Sequence, residues 1–202
     1  CIIVTLETQD REWITQTRRI LSYGTDMWKL DRLNDLSRRI CAMRPSFDVI
    51  DQEYEKILKG PTYSPAMQCA VYAMTAGAFA IFFGGNLWDG IASMFVGALI
   101  RVTLYVFAKV HMKAIFSNIL CSLISGMACI LMCRVGPGQH VEMIMIGNIM
   151  LLIPGVLMTN SFRDFISGDM ISGLLHFSEA MITAVCVAVG FIFSKMLLGG
   201  ML

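Results

Sequence analysis

The sequence predicts an α-helical multi-pass membrane protein, with about five transmembrane helices and a small cytoplasmic α/β head. Three observations carry this. The chain of 202 residues is 56% hydrophobic and only 15% charged. The charges are unevenly placed: residues 1–65 hold ten Lys/Arg and ten Asp/Glu, whereas residues 66–202 hold six and five. That second stretch also contains successive runs of about 18–25 mostly uncharged residues, enough to cross a hydrocarbon core of about 30 Å as helices. Five such helices in a soluble domain would leave little polar surface to face water.

The head, residues 1–65, begins with the alternating stretch "IIVTLE", which suits a strand, and "EWITQTRRI" suits a second. "TDMWKLDRLNDLSRRICA" has Leu30, Leu33, Ser37 and Ile40 at helical spacing, with Thr25 or Asp26 as its cap. Pro45 breaks the chain. Ser46 then caps an amphipathic helix with Phe47, Ile50, Tyr54 and Ile57 on one side. "KGPTYSP" is a linker, because Gly60, Pro61 and Pro65 do not continue a helix. A head of about sixty residues is small for an independent core and is expected to lean on the membrane body or on another chain.

The membrane domain, residues 66–202, is expected to hold spans near 66–84, 87–108, 114–134, 142–160 and 169–195. Lys109, His111 and Lys113 lie between the second and third spans, on the side of the basic head, while the turn between the first two holds only Asp89. The positive-inside rule therefore places the head in the cytoplasm of a plasma (inner) membrane protein. Arg134 and Lys195 fall on the outer side in this count. Gly77, Gly97, Ser122, Ser125, Gly126, Gly147 and Gly190 are small residues that let helices pack closely in lipid. Asn148 is read as an interhelical hydrogen bonder.

Ionisable groups gather where the chain otherwise reads as membrane, in "LLIPGVLMTNSFRDFISGDMISGLLHFSEA". Asp169, Ser172, His176, Glu179, Thr183, Cys186 and Gly190 recur at spacings of three and four, which places them on one stripe of the fifth helix. Asn118, Ser122, Ser125 and Cys129 form a weaker stripe on the third. Glu179, about 15 Å from its helix start, costs several kcal/mol in lipid unless water or a partner meets it. Pro154 and Gly155 interrupt the fourth span. "TNSFRDFISGD" is too apolar for a water-exposed loop and too polar for a lipid-facing helix, so a broken or re-entrant helix beside a cavity fits it. Gly168 and Gly173 are read with Pro154 and Gly155 as hinge positions. Two plainer readings stay open: Arg163 and Asp164 mark a cytoplasmic turn, and His176 is a neutral interhelical hydrogen bonder.

These same residues resemble the hallmark of the threonine/serine exporter (ThrE) family, approximately P-G-x-x-x-T-N-x-x-R-D-x-x-x-G-D-x-x-S-G followed by E-A. Here those positions are Pro154, Gly155, Thr159, Asn160, Arg163, Asp164, Gly168, Asp169, Ser172, Gly173, Glu179 and Ala180. "FAIFFGGNLWDGIASMFVGAL" is similar to the family's first hairpin through Phe83, Gly84, Gly85, Asp89 and Gly97, and the head resembles its cytoplasmic part more loosely. Single-chain members continue into a second membrane half, whereas this sequence stops at Leu202. The resemblance is therefore to the larger, YjjP-like member of a split pair, which implies a small YjjB-like membrane subunit as partner, in a hetero- or homo-oligomer. The sequence begins at Cys1, so the true N-terminus is expected to lie upstream.

The resemblance implies a secondary exporter for small carboxylate-bearing metabolites of the threonine/serine type. A dicarboxylate such as succinate is the alternative that the split pair implies. Arg163 would hold the carboxylate bidentately, with Thr159, Asn160 and Ser172 supplying hydroxyl and amide contacts. Asp169, Glu179, Asp164 and His176 would carry the coupling proton. Two other classes are weighed against this. A membrane-embedded enzyme would use Asp164, Asp169, His176 and Glu179 as acid–base or metal groups, but no His or Cys cluster accompanies them. A non-transporting scaffold or sensor would use the head as output, with Arg18, Arg19, Arg38 and Arg39 toward anionic lipid. The net charge of +1 gives no pull toward nucleic acid. The seven Cys follow no disulfide or metal-ligand spacing, and Cys129 and Cys133 read as small apolar residues on one helix face. No cofactor, metal or catalytic site is expected.

Overall fold

The computed structural model describes residues 2–7, 13–18, 26–61 and 63–198. It divides into two units, Cys1–Thr62 and Tyr63–Leu202.

In the first unit, β1 (Ile2–Glu7) and β2 (Trp13–Arg18) pair antiparallel, with Leu6 opposite Ile14 and Thr5 opposite Thr15. Strand alternation sorts Val4, Leu6 and Ile14 to one face, and Thr5, Thr15 and Thr17 to the other. Helix α1 (Met27–Met43) is capped by Asp26, whose side chain accepts from the Lys29 amide at 3.1 Å. Thr25 lies outside the described residues. Helix α2 (Phe47–Leu58) has Ser46 at its N-cap, but the hydroxyl makes no capping bond. The buried face agrees with the expected one in part. Ile57 is buried and Leu33, Ile40 and Ile50 are half-buried, as the spacing predicts, but Leu36 is buried in place of Ser37, and Leu30, Phe47 and Tyr54 are exposed. A two-helix layer presents one narrow seam, and Leu33, Leu36 and Ile40 fit it at i, i+3 and i+7. Arg39 closes the seam with a two-pronged contact to Glu53, at 2.6 and 3.3 Å.

The second unit contains α3 (Pro65–Phe82), α4 (Leu87–Lys109), α5 (Ala114–Arg134), α6 (Val141–Ile149), α7 (Gly155–Ser167) and α8 (Met170–Leu198). Four of these, α3, α4, α5 and α8, are long and apolar enough to cross a membrane. The fourth expected span, 142–160, takes another form. Helix α6 stops after nine residues, about 14 Å. Residues 150–154 form turns, and α7 restarts at Gly155 behind Pro154, which lacks an N–H and limits the residue before it.

Small residues set the helix contacts, as they must where hydrocarbon gives no hydrophobic force between helices. A Cβ on Gly147 of α6 would stand 2.8 Å from the Ala76 carbonyl and the Ala80 amide of α3. Gly97 of α4 faces Tyr72 and Ala76 of α3 in the same way. Helices α5 and α8 run parallel: Gly190 meets Ser122 and Ile119, Gly126 meets Ser194, and the Arg134 guanidinium donates to the Leu198 carbonyl at 2.7 Å. This register puts residue 182 about level with the start of α5. Residues 170–181 therefore extend beyond it, by about 18 Å.

Asp89 locks one end of the bundle. Its carboxylate is fully buried and caps its own helix by accepting from the Asn86 amide at 3.0 Å, while Asn86 accepts in return from the Asp89 amide at 2.8 Å. It also accepts from the amides of Gln139 and His140 at 2.7 and 2.9 Å, and His140 Nδ1 lies 2.8 Å from it. The segment leading into α6 is thus stapled to the α3–α4 turn. Lower down, Asn148 donates to Ser93 Oγ and to the Ile144 carbonyl, both at 2.9 Å, and Ser93 donates to the Ala76 carbonyl at 2.9 Å. Asn148 joins α6 to α4, and Ser93 joins α4 to α3.

Removing Asp89 leaves three backbone N–H groups without their acceptor at once. Asp89→Ala is expected to destabilise the chain by about 2–4 kcal/mol, read as a lower melting temperature of the purified protein in detergent. Gly147→Val is expected to cost about 1–3 kcal/mol because backbone, not a yielding side chain, occupies the space. An unchanged melting temperature in either variant refutes the corresponding contact.

Candidate functional site

The ionisable cluster sits on a helical hairpin formed by α7 and the first half of α8. Its turn is Gly168, at φ +89°, a left-handed conformation that glycine adopts without strain. The Asp169 amide closes the turn on the Asp164 carbonyl at 2.9 Å. Two contacts then clamp the helices. The buried Ser161 hydroxyl donates to the Gly173 carbonyl at 2.9 Å, and the Phe165 ring lies where a Gly173 Cβ would be, at 2.7 Å. Phe162 and Phe177 meet edge to face, 6.5 Å between ring centroids.

Within this hairpin the structure brings together Asp164 and His176. Their Oδ2 and Nδ1 atoms are 2.8 Å apart, and both side chains are partly exposed. When the carboxylate is ionised it can only accept, and Nδ1–H is then the donor. The pair joins α7 to α8 and keeps access to the surroundings.

The other candidates stand on the outer surface. Thr159 is exposed and donates to the Gly155 carbonyl at 3.0 Å, leaving its oxygen lone pairs available. Asn160, Arg163, Asp169, Ser172 and Glu179 are exposed. Among the described residues Arg163 forms no ion pair. Pro154 is the N-cap of α7 and Gly155 its first residue, with open space where a Cβ would stand.

The stripe on α8 is rotated from the one the spacing suggests. The buried positions are Gly173, Ala180, Val187 and Ser194, a strict seven-residue repeat, with Cys186, Gly190 and Phe191 beside it. Glu179 falls just off this seam, and Asp169 precedes the helix. Small residues allow the close approach and so win the seam. The depth changes too: Glu179 sits about one turn beyond the start of α5, outside the α5–α8 helix pair rather than well within it. The weaker stripe on α5 is packing, since Ser122 and Ser125 are buried and donate to their own helix at 2.7 and 3.0 Å.

Three polar features lie outside the hairpin. One is the Asp89 clamp, whose aspartate belongs to the first-hairpin motif although the motif does not show its partners. Another is Arg101, midway along α4, which donates to Gln68 of α3 and lies 5.9 Å from the ring centroids of both Tyr72 and Tyr105. Gln68, Tyr72, Arg101 and Tyr105 are each one turn apart on their helices, the signal that could have found them. The third is the pair Glu142 and Lys195, on facing sides of a groove between α6 and α8.

A family model described as "Putative threonine/serine exporter" (ThrE) matches residues 1–198. Comparison with curated proteins and with solved structures gives no match.

The Asp164–His176 contact is partly exposed, so its coupling energy is expected to be modest, about 0.5–1.5 kcal/mol. A double-mutant cycle with Asp164→Asn and His176→Ala, read by melting in detergent, measures it. Additive effects would show that the two side chains do not interact.

Proposed function

The chain belongs to the ThrE family, and from that premise we propose that it is a subunit of a secondary exporter for small carboxylate-bearing metabolites of the threonine/serine type. The observation that carries the assignment of residues is the free guanidinium. Arg163 is exposed on α7, forms no ion pair among the described residues, and stands one turn from Thr159 and Asn160. A planar guanidinium holds a carboxylate by two parallel hydrogen bonds. Thr159, Asn160 and Ser172 supply further contacts to hydroxyl or ammonium groups.

The proton belongs with the hairpin. The Asp164–His176 pair is the one acid–base contact joining α7 and α8 among the described residues, and we assign it the coupling proton, with Asp169 and Glu179 as relays toward the aqueous side. The broken segment between α6 and α7 supports movement, because helix breaks in transporters occur where backbone lines a cavity. Pro154 and Gly155 form this joint, and Gly168 and Gly173 hold the hairpin beyond it.

The basic loop between α4 and α5, with Lys109, His111 and Lys113, lies at the same end as the α7–α8 turn. By the positive-inside rule this end is cytoplasmic in a plasma membrane, as is the head. The hairpin is then the loading side. A charged α7 surface flanked by the exposed Val156, Phe162 and Ile166 is costly against lipid alone. A second, small membrane subunit covering that face would turn it into an enclosed path.

Co-expression with such a subunit, followed by efflux of labelled threonine, serine and succinate from loaded vesicles under an imposed pH gradient, tests the reading. Arg163→Lys is expected to reduce export to background while the chain stays in the membrane at wild-type amount. Transport at the wild-type rate would remove Arg163 from the site. Export of succinate with no export of threonine or serine would change the substrate class.

A further inference from the structure

A second pair of charges stands at the opposite end of the membrane domain from the hairpin. The groove between α6 and α8, about 410 Å³ in volume, is lined by two matching helix stripes: Glu142, Met145, Ile146 and Ile149 from α6, and Ala188, Phe191, Ile192 and Lys195 from α8. Each stripe follows the i, i+3, i+4, i+7 spacing of one helix face. Each has one charged residue, and the directions of the helices bring both charges to the same end. Glu142 is in the first turn of α6, which enters the bundle beside the α3–α4 turn, where Met143 faces Gly85. Lys195 is in the last turn of α8, which ends beside Arg134 of α5. Neither Glu142 nor Lys195 forms an ion pair among the described residues.

We propose that this groove is a second binding site, on the exit side, for a zwitterionic α-amino acid, with Lys195 holding its carboxylate and Glu142 its ammonium. The inference rests on the exporter reading and narrows its substrate class. Two opposite charges across an apolar groove, not paired to each other, match a ligand that carries both charges on one carbon. Charge-assisted hydrogen bonds at both ends are stronger than neutral ones. The side chain of the ligand enters the apolar floor formed by Met145, Ile149 and Phe191. The groove volume falls within the usual range for small-molecule sites. A dicarboxylate meets Lys195 but is repelled by Glu142, so the pair selects amino acids over dicarboxylates by charge alone.

The test is saturation binding of tritiated L-threonine to the purified full chain carrying Arg163→Lys, which removes the hairpin anchor and leaves the groove. Residual binding is expected, competed by L-serine but not by succinate, N-acetylthreonine or threoninol, each of which lacks one of the required charges or adds a repelled one. Glu142→Gln and Lys195→Gln are each expected to weaken it by about tenfold or more, and the exchanged pair Glu142→Lys with Lys195→Glu is expected to restore it. If a single variant melts early, the competition series on the Arg163→Lys chain alone decides. Absence of residual binding, binding unchanged by both amide variants, or equal competition by succinate overturns the proposal, and the groove is then a seat for lipid or a partner helix with Lys195 reaching to the interface. The two readings fail separately: the groove site falls on these binding results, and the hairpin site falls on wild-type transport by Arg163→Lys.

Discussion

A carboxylate with no exposed surface needs several donors at once, because burying an uncompensated charge costs far more than a single hydrogen bond returns. Asp89 meets that demand with three backbone amides and an imidazole drawn from two separate parts of the chain. The placement of the other helices depends on this. The clamp fixes the end of α3, the start of α4 and the entry of α6 against one another. Gly147 can then lie on Ala76 and Ala80, and Asn148 can reach Ser93. With its entry pinned, a nine-residue α6 ends about 14 Å from that end, so the break at residues 150–154 falls part-way along the neighbouring helices.

Much of this architecture is legible in the sequence. Long uncharged runs mark α3, α4, α5 and α8, since length and hydropathy report the thickness of a bilayer directly. The alternation in "IIVTLE" and "EWITQTRRI" marks the two strands. Pro154 and Gly155 mark the break, though not that each side of it is a short helix with turns between. The side-chain directions were harder to read. Spacing by threes and fours placed Glu179 on a polar interior stripe of α8, but Gly173, Ala180, Val187 and Ser194 form the buried seam one position further on. A helix has several stripes at similar spacing. The one that packs is chosen by how closely the neighbour approaches, and that is a property of α5 and α7 together. In the head, likewise, Leu36 fills the seam although Leu30 and Phe47 are equally apolar.

The membrane domain carries its ionisable groups at its ends. The hairpin holds Arg163, Asp164, Asp169, His176 and Glu179 at one end, and Asp89, His140, Glu142 and Lys195 gather at the other. Between them lies mostly small or apolar packing, with Arg101 held by Gln68 and two tyrosine rings. Charges near the ends can be reached by water or headgroups at lower cost than charges at the centre. Between the two clusters along the chain lies the break at residues 150–154, where the backbone closes turns of its own: the amides of Leu151, Leu152 and Gly155 donate to the Asn148, Ile149 and Ile153 carbonyls.

Helix α7 is packed chiefly on α8, through Ser161, Asp164, Phe165 and Phe162. It shares no extensive interlocking surface with α3, α4 or α5. Helix α8, by contrast, runs unbroken from the hairpin into its contacts with α5 at Gly190 and Ser194, so the hairpin is tethered on both sides: by the turns at residues 150–154 and by a continuous helix. Changes of sequence near Pro154 therefore act on the α7 side of the hairpin and leave the α5–α8 seam of the bundle in place.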